Sequence, residues 1–170
     1  MIDYRFAPNA DVEKAIAADG LDFGLMSRLA TRDEVHCQPV AEEPLLLVTP
    51  ATVTAPSWPT LLQLGFIDHP DGAHHAGLLL GANYPEFQHS NLFEKKGFSN
   101  QINLILEPVS MGLGFTVLPA HAVAAFQKPQ QVNGHRLSHP VSETLYLGVN
   151  RNRALPNRVH SVMAEARKWL

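Results

Sequence analysis

The chain has 170 residues, 45% of them hydrophobic and only 17% charged, with a net charge of −3. That is enough length and apolar content for one ordinary domain or two small lobes, and it excludes both a disordered chain and a polycation that coats nucleic acid. One cysteine, Cys37, excludes an internal disulfide framework and a multi-cysteine zinc site.

No run of about 20 apolar residues occurs, so no membrane span is read. The start, Met1-Ile2-Asp3-Tyr4-Arg5, has no basic run ahead of an apolar stretch and is not read as a secretory leader. The expectation is a globular, cytoplasmic chain. Its 13 prolines, 11 glycines and 9 histidines point to short elements, many turns and a histidine-bearing site or surface.

In chain order, Ile2 to Phe6 alternates like a strand. Asn9 or Asp11 is placed to cap a helix through Val12, Ala15 and Ile16 that ends near Gly20. Leu21 to Met26 reads as a buried strand. Val35–Val40 and Leu45–Val48 read as two more, separated by Glu42-Glu43-Pro44. This is the grammar of a parallel α/β sheet. Thr49 to Pro59 reads as a connection, Thr60–Leu64 as a short helix and Gly65–Asp68 as a short strand. His69-Pro70-Asp71-Gly72 is a turn by composition, and a helix follows from Ala73 through Leu80.

Ser90–Phe93 is read as a strand. Ser99 or Asn100 is placed to cap a helix whose apolar set is Ile102, Ile105, Leu106 and Val109. Pro108 should kink or split it and Gly112 close it. Gly114–Pro119 is a buried strand with a proline stop, and His121–Phe126 a short helix. Gln127–Asn133 is a polar loop, Leu145–Val149 a strand, and a last helix begins near Pro156 with Val159, Met163, Ala166 and Leu170 on its apolar stripe.

The richest chemistry lies in Asp68-His69-Pro70-Asp71-Gly72-Ala73-His74-His75, where a strand ends and a helix begins. Helix starts offer unpaired N–H groups, and ligands of open α/β sheets sit at strand C-terminal ends. The segment reads either as a small-molecule pocket with His69 or His74 as polar contacts, or as a solvated turn with Asp71 as the helix cap. The ligand's charge stays open, because Asp68 and Asp71 repel an anion unless the histidines are protonated.

A metal site from His69, His74, His75 and Asp68 lacks a zinc spacing, and adjacent His74 and His75 diverge on a helix. Gly134, Ser138 and Pro140 argue against a helix at His135 and His139, so that pair is read as surface. No nucleophile elbow is present, and no nucleophile–base or carboxylate pair emerges, so no catalytic residue, metal or cofactor is assigned. Ser110 to Gly114 follows a helix and precedes a strand, the reverse of a dinucleotide-binding loop. Cys37 reads as a buried or half-buried thiol, and Glu42-Glu43 and Glu94-Lys95-Lys96 as solvated charges.

Within Ile102 to Pro119, the run Ile-Leu-Glu-Pro-Val-Ser-Met-Gly-Leu-Gly-Phe-Thr-Val-Leu-Pro resembles the effector-binding domain of LysR-type transcriptional regulators, where a helix, "G-L-G" and an apolar strand ending "L-P" recur. Other pieces are similar in order. Ala15-Ile16 through Gly20-Leu21-Asp22-Phe23-Gly24-Leu25 resembles "A-L-x-x-G-x-L-D-x-G-I". Glu43-Pro44-Leu45-Leu46-Leu47-Val48 looks like the first crossing strand, Phe66-Ile67 like the strand opening the second lobe, and Leu145–Arg151 like the returning strand. The likeness covers nearly the whole chain.

The resemblance implies an α/β fold of two Rossmann-like lobes joined by two crossing strands, as in type 2 periplasmic binding proteins. Lobe I would be 1–46 plus 149–170 and lobe II 47–148. It implies a small effector held between lobes, contacted by Asn9 and Ala10 on one side and by His69, Pro70, Gly72, Ala73 and His74 on the other. Asn100, Phe115 and Thr116 are further contacts by position.

It also implies a homo-oligomer, a dimer, that meets DNA only through an N-terminal helix-turn-helix domain. That domain and the first strand and helix of the effector domain find no counterpart here. Ile2–Phe6 matches the family's second strand, so an N-terminally truncated chain is expected. The function implied is non-enzymatic: effector binding coupled to transcription control. The alternative is a solute-binding protein of a transport system with the same fold. A metal-dependent hydrolase built on His69, His74 and His75 is a third reading, and it requires stoichiometric zinc.

Overall fold

A computed structural model describes residues 2–170; Met1 lies outside the described residues. The chain forms two compact units, one of Met1–Glu42 with Glu143–Leu170 and one of Glu43–Ser142.

The first unit contains helix α1 (Asn9–Ala17), strand β1 (Gly24–Met26) and helix α6 (Asn157–Ala166). It also holds the opening part of β2 (Val35–Pro50) and most of β7 (Ser142–Asn150). β1 and β7 pair antiparallel, with Gly24 opposite Gly148 and Met26 opposite Tyr146. α1 buries Val12 and Ile16 against Met26 and Val35, while α6 buries Val159 and Met163 against Leu147. Glu13 is buried on α1, and its carboxylate closes the loop after β1. It accepts the Thr31 and Arg32 N–H groups at 2.6 Å each, the Thr31 hydroxyl at 3.0 Å and Arg28 at 3.0 Å. Burial pushes this carboxyl's pKa up, but the hydrogen bonds from Arg32 and Thr31 and the Arg28 charge outweigh it and hold it below the usual value.

The second unit contains α2 (Trp58–Leu64), β3 (Phe66–Asp68), α3 (Gly72–Asn83), β4 (Lys95–Phe98), α4 (Leu106–Ser110), β5 (Thr116–Pro119), α5 (Ala120–Ala124) and β6 (Val132–His135). The later part of β2 pairs antiparallel with both β5 and β6. β3 pairs parallel with β4, and Phe66 bridges parallel to Phe115. Rings of Phe66, Phe93 and Phe115 meet at centroid distances of 4.8 to 6.2 Å beside Trp58, forming the aromatic centre of the core. Such offset and edge contacts add to the stabilisation from burial.

Several expectations are corrected. Ile2–Phe6 forms no strand: it pairs with nothing among the described residues, and Tyr4 and Phe6 are 78% and 98% exposed. Without a ladder partner, extended backbone has no hydrogen bonds to offset its ordering entropy. The two strands read at Val35–Val40 and Leu45–Val48 are one 16-residue strand that runs through Pro44. Most strand pairing is antiparallel, and the parallel arrangement is confined to β3 and its neighbours.

Ser90–Phe93 is not a strand but a 3₁₀ turn at Ser90–Leu92, with β4 following. β6 occupies the end of the segment read as a polar loop. Neither Asn9 nor Asp11 caps α1; Pro8 precedes it, and the left-handed residue after it is Asp19, not Gly20. Asp71 stands at the α3 cap position but makes no capping bond. The helix expected after Ser99 or Asn100 splits into a 3₁₀ turn at Ile102–Leu104 and α4, which contains Pro108.

Candidate functional site

The short strand β3 positions the candidate site. Ile67 donates its N–H to the Phe115 carbonyl at 2.8 Å, so the next N–H on that side of a parallel ladder belongs to His69. The ladder ends there. The His69 N–H turns to the Asp68 carboxylate at 2.9 Å, and the His69 ring takes the vacated acceptor, with Nε2 3.0 Å from the Val117 carbonyl. A carbonyl only accepts, so Nε2 carries the proton and Nδ1 holds the lone pair in the neutral ring. His69 is 5% exposed, and burial holds its pKa below the usual histidine value, against the opposing pull of its Val117 bond and of Asp71 and Asp68.

α3 begins at once. Gly72 is buried, and a side chain there would run into the Asp68 carboxylate. The other Asp68 oxygen meets Lys95 Nζ at 3.0 Å, and that ammonium lies 4.4 Å above the Phe66 ring. On the other flank of β3, Ser99 donates its N–H to the Asp68 carbonyl at 3.1 Å. The strand end therefore gathers Asp68–His74, Ser99–Asn100 and the Val117 carbonyl.

The other predicted residues fall as follows. Pro70, Ala73, His74 and Asn100 are exposed. Next to exposed His74, His75 is buried, the divergence expected of neighbours on a helix, and its ring lies 5.3 Å from that of His69. The Phe115 ring is wholly inside the aromatic core, and Thr116 is buried with its hydroxyl unpartnered among the described residues. In the first unit, Ala10 is exposed, while the Asn9 side chain is spent on Ser27, accepting its N–H at 3.1 Å and donating to its Oγ at 2.9 Å.

Lys95 was read as a solvated charge and is instead the partner of Asp68. Its role depends on β4, which Lys95-Lys96-Gly97-Phe98 does not announce. His135, read as surface, is half-buried on β6, with Nε2 2.8 Å from the Thr49 hydroxyl. Among the described residues, no three His, Cys, Asp or Glu side chains are grouped to hold a metal, and no helix is long and apolar enough to cross a membrane. A separate groove of about 510 Å³ is lined by Val53, Thr60, Leu64, Lys96 and Leu113 among others. It shares none of the residues gathered at the β3 end, which holds the denser set of titratable groups and is taken as the candidate.

This arrangement, polar groups gathered where a parallel strand hands over to a helix, is that of a ligand-binding α/β domain. Residues 2–170 match the family described as LysR substrate binding domain, and the chain belongs to it. The fold is shared with the effector-binding domain of QuiR in complex with shikimate (TM-score 0.68, 12% identity, covering 96% of this chain and 78% of that one). It is shared too with the OxyR2 regulatory domain of Vibrio vulnificus, as a cysteine mutant (TM-score 0.74, 13% identity, 96% and 79%). A third is HinK, a LysR family transcriptional regulator from Pseudomonas aeruginosa (TM-score 0.73, 14% identity), where the match covers 98% of this chain and 58% of HinK. No curated protein matches the chain by sequence.

Proposed function

We propose that the chain is the sensing part of a LysR-type regulator of the cytoplasm. It binds a small metabolite, catalyses nothing, and acts as a homo-oligomer whose DNA contact is made by a separate helix-turn-helix domain. The observation that carries this reading is the family match over residues 2–170. The effector-bound neighbour QuiR adds to it. The ligand acts by binding one conformation more tightly than another, since only differential affinity shifts an equilibrium.

The effector's contacts in this reading are the exposed groups at the β3 end: His74, the Ala73 and His74 N–H groups, and Asn100. His69 holds the segment in place from behind. Asn9 and Ala10 are assigned to the effector as well, by their position in the family.

A metabolite library screened by thermal shift identifies the ligand, and calorimetry on two variants then tests its location. His74→Ala weakens binding about tenfold or more, as expected for the loss of a hydrogen bond to a ligand. His139→Ala, exposed and remote in sequence, leaves affinity unchanged. Equal effects of the two substitutions contradict the site.

A further inference from the structure

Ile2-Asp3-Tyr4-Arg5-Phe6 alternates as a strand does, yet it has no ladder partner among the described residues. Ile2, Tyr4 and Phe6 are all exposed, Phe6 almost entirely. Large apolar side chains in water beside unpaired backbone N–H and C=O groups form an edge that another strand can extend. Asp3 and Arg5 hold the alternate positions and meet each other, with Arg5 Nη2 donating to Asp3 Oδ2 at 2.8 Å. Both side chains are well exposed, so the pair is weak and changes partner at little cost.

The charges select the strand that fits. Directly opposite side chains of an antiparallel pair share a face, where unlike charges attract and like charges repel. A second copy of the same segment, paired antiparallel about a two-fold axis at Tyr4, sets each Asp3 opposite an Arg5 and each Ile2 opposite a Phe6. The apolar side chains of both copies then fall in one row. A slip of two residues sets Asp3 opposite Asp3 or Arg5 opposite Arg5, and a slip of one sets apolar side chains against charged ones. Parallel pairing in register matches like charge with like. Pro8, which has no N–H, ends the ladder before α1.

We infer that Ile2–Phe6 is a self-complementary docking strand, and that its occupant is the same segment of a second copy of this chain. The inference rests on the homo-oligomer of the proposed function and gives it a contact. So short a ribbon is a small interface, so the dimer is weak and its population follows concentration.

Sedimentation velocity on the full chain over a wide concentration range tests it, with Asp3→Arg, Arg5→Asp, the two combined, and Tyr4→Pro. The segment is exposed and unpaired, so these variants fold as the parent does. The parent shows a monomer–dimer equilibrium. Each single charge reversal sets like charges opposite each other at both ends of the ribbon and raises the dissociation constant about tenfold. The combined swap restores unlike pairs and with them the parent's affinity, while Tyr4→Pro removes a central N–H and abolishes the dimer. A dimer that none of the four variants weakens overturns the inference and leaves the homo-oligomer standing. A dimer weakened by Tyr4→Pro but indifferent to charge reversal overturns self-pairing, because the segment then adds to a different strand. A chain that stays monomeric throughout overturns both the inference and the homo-oligomer.

Discussion

Glu13 and His69 show the same physics with opposite signs. Glu13 is buried and charged because four donors converge on it, and its pKa is lowered. Its contribution to stability is complete above its unfolded value of about 4.5 and is lost as pH falls through the lower folded value. Glu13→Ala orphans the Thr31 and Arg32 N–H groups and costs roughly 2–4 kcal/mol in chemical denaturation at neutral pH. Above the folded pKa of Glu13, Glu13→Ala removes the acid dependence that this residue contributes, and a variant as stable as the parent contradicts the assignment.

His69 is buried neutral with a lowered pKa, so on acidification the unfolded chain takes up its proton first. Stability therefore begins to fall as pH drops below about 6.5, the unfolded value, and continues to fall until the folded value is reached. His69→Gln flattens this limb of the stability–pH curve. His135→Gln flattens it less, because that ring is only half-buried. Equal flattening by the two variants contradicts the burial argument.

At the scale of elements, the Gly112-Leu113-Gly114 run has a physical reason at each glycine. Gly112 takes φ +81°, the left-handed conformation that ends α4. Gly114 lies against the backbone, where an added Cβ would meet the Gly65 carbonyl at 2.9 Å and Ile67 Cδ1 at 3.0 Å. Gly114→Ala therefore pushes β3 away from Phe115 and costs about 1–3 kcal/mol, read as a lower denaturant midpoint at constant slope. No change in midpoint contradicts the close approach. Gly112 was legible in the sequence because ending a helix is local chemistry, as were the body of α2, β3 and the start of α3, whereas the Ser57 cap and the contact of Gly114 with Gly65 and Ile67 were not.

What was not legible depends on partners distant in the chain. Pro44 marked a break within β2, yet a strand passes through a proline where no ladder N–H is required. β6, Val132-Asn133-Gly134-His135, has no alternation and exists because Leu47–Pro50 lies beside it. Ile2–Phe6 alternates as a strand should and has no neighbour to pair with among the described residues. At the site, the pattern Asp68 to His75 marked the right segment, but the separation of roles within it is tertiary. His69 faces inward to Val117, Asp68 turns to Lys95, and His74 stays in solvent.

For the whole molecule, the account rests on one claim: a chain of the LysR substrate-binding domain family binds a small molecule at the end of β3. A ligand that binds only the folded chain stabilises it by mass action, about 2.7 kcal/mol at a hundredfold excess over its dissociation constant. The most direct test is a thermal-shift screen of a metabolite library, spanning polyols, amines and carboxylates, on the chain of residues 1–170. The account predicts a concentration-dependent rise in Tm with one or a few chemically related compounds, abolished or reduced by His74→Ala. A chain whose Tm no compound moves, at concentrations far above those of cellular metabolites, contradicts the claim that it is a sensor.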